Sequence, residues 1–136
     1  MISLLKKLKP QEPQVPPSAA EILLADFDAL PEPRKDAAAG QLSLLWLWFR
    51  DEFGGPADFL ALAAEEQEKY LEKLRTAAER SAALKDSDLG RYYFSSALLG
   101  GYLEALRTHD VSPTAMAVAH RVVWMVERGR AISRQR

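Results

Sequence analysis

The chain has 136 residues with a net charge of −1, 48% hydrophobic and 27% charged residues, and no cysteine. That length supports one domain with a real core, and the composition is ordinary for a globular protein. Without cysteine there is no disulfide framework, thiol nucleophile or thiolate metal site, which fits the reducing cytoplasm where we expect the protein to reside.

The near-neutral total hides an uneven distribution. Residues 1–10 carry Lys6, Lys7 and Lys9 without an acid, giving +3, and residues 111–136 carry five arginines against Glu127, giving +4. The stretch between them therefore sums to −8, an acidic body with two basic ends. Ile2–Leu5 is too short an apolar run for a signal peptide. The longest uncharged runs, Ala37–Phe49 and Tyr92–Leu103, fall short of the ~20 residues that cross a bilayer.

In chain order, residues 1–17 read as a basic, apolar peptide followed by a Pro-rich linker. Ile2, Leu4, Leu5 and Leu8 sit among the lysines, and Pro10, Pro13, Pro16 and Pro17 favour an extended spacer. Residues 18–136 read as a helical bundle domain with a basic C-terminal end. Ser18-Ala-Ala-Glu21 is a capping box opening a helix over Ala19–Ala29, which Pro31 and Pro33 close. A second helix starts near Pro33 or Arg34 and reaches Phe53, where Gly54-Gly55-Pro56 stops it and starts the next.

Pro56–Lys85 reads as one long helix. Leu60, Ala64, Gln67, Leu71, Leu74, Ala78 and Ser81 draw a narrow seam, with Glu65/Lys69 and Glu72/Arg75 on the outer face. After a turn at Lys85–Asp88, a helix over Leu89–Arg107 points Tyr92, Leu99, Tyr102, Leu103 and Leu106 inward. Ser96 and Gly100 would let another backbone come close. The last helix has Ser112 as its cap and Pro113 in its first turn, runs to about Gly129, and buries Val118, Val122, Met125 and Val126. No strand pattern is present. The fold class predicted is all-α, a single-domain bundle of four to five helices behind an extended Pro-rich N-terminal segment.

The densest apolar run is Leu42–Phe53, LSLLWLWFRDEF. At 100° per residue, Leu42, Leu45, Trp46, Phe49 and Phe53 share one face, while Leu44, Leu47 and Trp48 fall on another. A helix apolar on both sides needs cover on both sides, from its own chain or from a partner. Central burial within the bundle is the preferred reading, with Trp46 buried in either case.

Chemistry is sparse. His109 sits in a turn with Asp110. His120, Trp124 and Arg128 form a ridge at four-residue steps that could stack on a planar ligand, although a boundary packing role explains them better. The acidic pairs Asp26/Asp28, Asp51/Glu52 and Glu65/Glu66 read as solubilising charge. No phosphate-binding loop or nucleophile motif occurs. The expectation is a protein that is not an enzyme and uses no cofactor or metal.

The predicted function is therefore a protein–protein interaction module: an adaptor, assembly factor or regulator. Its contact residues would be Trp46, Trp48 and Phe49 on the body and Ile2, Leu4, Leu5 and Leu8 on the tail. The partner is another protein or a second copy of the chain. The alternative is a nucleic-acid-binding regulator in which Leu106–Val126 forms a degenerate helix-turn-helix and Arg121, Arg128, Arg130, Arg134 and Arg136 contact phosphates. A membrane-surface role for Met1–Lys9 ranks below both.

Overall fold

The computed structural model describes residues 18–83 and 88–135, and these are all-α. Among the described residues the helices are α1 (Ala19–Asp28), α2 (Glu32–Phe53), α3 (Pro56–Leu60), α4 (Ala64–Ala83), α5 (Asp88–Thr108) and α6 (Pro113–Arg134). The N-terminal peptide and Pro-rich linker, with Ile2, Leu4, Leu5 and Leu8, lie outside the described residues, as does most of the Lys85–Asp88 turn.

Local signals placed most helix ends. Ser18 Oγ accepts from the Glu21 amide at 3.2 Å, and the Glu21 carboxylate reaches back to the Ser18 amide, completing the capping box. Gly54 ends α2 at φ 95, the left-handed conformation that glycine adopts without a Cβ clash, and its amide donates to Arg50 O. Ser112 caps α6 by accepting from the Ala115 amide, and Asp110 accepts from the Ser112 amide at 2.9 Å. That hydrogen bond holds the Asp110 carboxyl below its ordinary pKa.

Two expectations are corrected. Pro56–Lys85 is not one helix: the chain breaks over residues 61–63. No Gly or Pro makes this break; packing does. Buried Phe59 is held against Phe49, Phe53 and Tyr70 at ring-centroid distances of 5.6, 5.2 and 5.7 Å. Gln67, read as a seam position of a continuous helix, instead donates from Nε2 to Leu60 O and Leu62 O at 3.0 and 2.8 Å, satisfying carbonyls the break leaves free. Leu71 and Leu74 do face the core, joined by Ala77, whereas Ala64 is exposed.

Gly129 is likewise no terminus. It lies inside α6 and is buried, because a Cβ there would stand 2.5 Å from Ala39 O and 2.5 Å from Ser43 Oγ. Its missing side chain is what lets α6 touch α2. Gly100 plays the matching part between α5 and α4, where an added Cβ would come 2.8 Å from the Leu74 Cβ. Helix α5 runs through Gly100 without a break, and the close approach of α4 accounts for this glycine.

Helix α2 packs on α6 and α5, α4 on α5, and α1 across α6 and α5. The core joins Leu42, Leu45 and Phe49 of α2 to Leu98, Leu99 and Leu103 of α5 and to Val118, Val122 and Met125 of α6. From α1, Leu23 and Phe27 close one side. No described helix is long and apolar enough to cross a membrane.

Candidate interaction surface

The six helices do not enclose α2. Its buried stripe is Ala38, Ala39, Leu42, Leu45 and Phe49. The opposite side carries Leu44, Leu47 and Trp48, whose exposures are 54%, 51% and 65%. These three stand at i, i+3 and i+4, the spacing that places side chains together on one helical face. Central burial of this stretch is thus overturned, because α1 lies across α6 and α5 and leaves the outer side of α2 open. A row of large apolar groups in water is the kind of feature that marks a contact surface.

The predicted contact residues separate on this helix. Trp48 is the most exposed of the three tryptophans. Trp46 is half-buried, with its ring 5.6 Å from Phe49 and 6.1 Å from Tyr102. Phe49 is buried at 1% exposure inside the aromatic cluster, so it supports the surface from beneath and cannot touch a partner. Leu44 and Leu47 take its place at the surface. Helical spacing had already put them beside Trp48, but their aliphatic character carries less signal than an aromatic ring.

The arginines of the alternative reading also divide. Arg121 clasps Asp28 through Nε and Nη2 at 3.1 and 2.8 Å, and Arg128 clasps Asp36 in the same bidentate manner at 2.8 and 3.0 Å. Hydrogen bonds from these guanidiniums hold both aspartates below the ordinary carboxylate range and raise both arginines. The pairs bracket the seat of α1 on α6 and the start of α2. Arg130 and Arg134 are exposed at the end of α6, and Arg136 lies outside the described residues. Sequence reasoning missed both aspartates, since 93 and 92 residues separate the partners and only helix packing joins them.

Of the His120 ridge, His120 is exposed and Arg128 is engaged by Asp36. Trp124 meets Phe27 in a T-shaped contact with ring centroids 5.9 Å apart. These are boundary packing contacts. His109 closes α5 in the left-handed region at φ 56, and Asp110 N donates past it to Ala105 O at 2.9 Å. Among the described residues no group of three His, Asp or Glu could hold a metal ion.

A cleft of about 420 Å³ opens between α2 and α6. Trp46 and Arg50 line it from α2, Tyr102 from α5, and Val122, Val126, Glu127 and Arg130 from α6. Sequence reasoning gave no hint of it. Comparison with protein families, curated proteins and solved structures yields no match to this chain.

Proposed function

We propose that this protein is a non-enzymatic interaction module, an adaptor, assembly factor or regulator, that docks on another protein through the outer face of α2. The observation carrying this reading is the Leu44–Leu47–Trp48 row, open to water on a helix whose other face is fully used by the core. Tryptophan in such a row is well suited to anchor an interface, since it buries a large rigid area at small entropic cost. The tethered Met1–Leu8 peptide would add a second contact.

The test is co-purification from the native source with wild-type protein, Trp48→Glu and a deletion of residues 1–9. Loss of the same specific partner with Trp48→Glu, at unchanged helicity and melting temperature, supports the reading. Equal recovery by all three proteins removes it. The nucleic-acid alternative has weaker support, because Asp28 and Asp36 already engage Arg121 and Arg128. Salt-titrated binding to random duplex DNA decides it: contact through a few arginines demands affinity that falls steeply with salt.

A further inference from the structure

The cleft between α2 and α6 has a chemistry that the docking reading does not use. Arg75, Arg107, Arg121 and Arg128 each engage a carboxylate. Arg50 and Arg130 line the cleft from opposite helices, and neither forms an ion pair among the described residues. The half-buried rings of Trp46 and Tyr102 make an aromatic wall, with centroids 6.1 Å apart and planes tilted by 55°. Neither the indole N–H nor the phenol hydroxyl hydrogen-bonds to another described residue. Buried Val126 supplies apolar surface, and Glu127 stands on the same lining as the one acid.

We propose that this cleft binds a small planar aromatic anion that also carries a hydrogen-bond donor. The two guanidiniums receive the anion, since their planar forks match a carboxylate and stack on ring faces. The Trp46–Tyr102 wall takes the ring, and the indole N–H supplies a further donor to the anion. Glu127 reduces the charge of the lining to +1, which matches a monoanion and gives the ligand's N–H or O–H an acceptor. A volume of this size suits a ligand of one or two fused rings. The site stands independently of the Leu44–Leu47–Trp48 face, so either can fail without the other.

The experiment uses the full chain and indole-3-acetate as probe, followed by the Trp46 indole N–H resonance in 1H–15N spectra assigned with Trp46→Phe. Saturable movement of that resonance is expected, with a Kd on the order of 1 mM for a ligand of this size. Indole-3-acetamide, the neutral counterpart, should bind about tenfold more weakly, as should indole-3-acetate to Arg50→Gln or Arg130→Gln. Both arginines are on the surface, and should one variant lose its fold the other decides. Equal binding of acid and amide, movement confined to the Trp48 and Trp124 resonances, or affinity unchanged in a folded arginine variant would each overturn the proposal.

Discussion

Four helical glycines differ sharply in what a methyl group would meet, and this makes the packing of α2 on α6 measurable. At Gly129 an added Cβ lies 2.5 Å from a backbone carbonyl oxygen, Ala39 O, and 2.6 Å from the Ser43 Cβ. Ordinary contact begins near 3.4 Å, so α2 and α6 must separate locally by roughly 0.9 Å, against groups that have no flexible end to move. Overpacking of this kind costs about 1–3 kcal/mol, and the carbonyl contact argues for the upper end. The better helix propensity of alanine returns about 1 kcal/mol. Gly129→Ala should therefore destabilise by about 2 kcal/mol, lowering Tm by roughly 6–10 °C in a domain of this size. Gly40 supplies the control on the same pair of helices. Nothing lies within 4 Å of its added Cβ, so Gly40→Ala should gain about 1 kcal/mol from propensity alone. Gly100→Ala, 2.8 Å from the Leu74 Cβ, should destabilise, and Gly101→Ala, 3.6 Å from the Val118 Cγ1, should not. Thermal and urea melts of the four variants give the order directly. A Gly129→Ala protein as stable as wild type, or Gly40→Ala and Gly129→Ala moving together, would refute the helix pairing described above.

Two further predictions follow from single polar contacts. Gln67→Ala frees the half-buried Leu60 and Leu62 carbonyls and should cost about 1–3 kcal/mol in a urea melt, with faster amide exchange at residues 61–63; no change would mean the break does not depend on this side chain. The Arg121 hydrogen bond lowers the folded-state pKa of Asp28, so the pair's stabilisation is present above the ordinary value of 3.8 and disappears as pH falls through the lower folded value. Asp28→Asn should thus be less stable than wild type at pH 7, with a gap that narrows as acid protonates Asp28, and a gap independent of pH would contradict that origin.

What the sequence made readable was chemistry acting within one turn. Ser18 with Glu21, Gly54 followed by Pro56, and Ser112 before Pro113 each satisfy backbone groups a few residues away, and all three mark helix ends where they were expected. What it hid was set by distant neighbours. Gln67 fits the spacing of a continuous helix, and only its contacts with Leu60 O and Leu62 O explain the break. Gly129 carries the signature of a helix terminus but is retained for packing against Ala39 and Ser43. Periodicity resolved the two apolar faces of Leu42–Phe53, yet which one met water depended on where α1 came to rest. The cleft needed three helices, and its lining residues share no motif.

The docking reading rests on Trp48, and a photo-crosslinking residue at that position tests it most directly. With p-benzoylphenylalanine replacing Trp48, irradiation in cells of the native source should yield a discrete adduct that is absent when the same group replaces Glu72, which is also exposed but lies on α4. An adduct common to both positions, or none at position 48 in a folded protein, would contradict the assignment of the outer face of α2 as the interface.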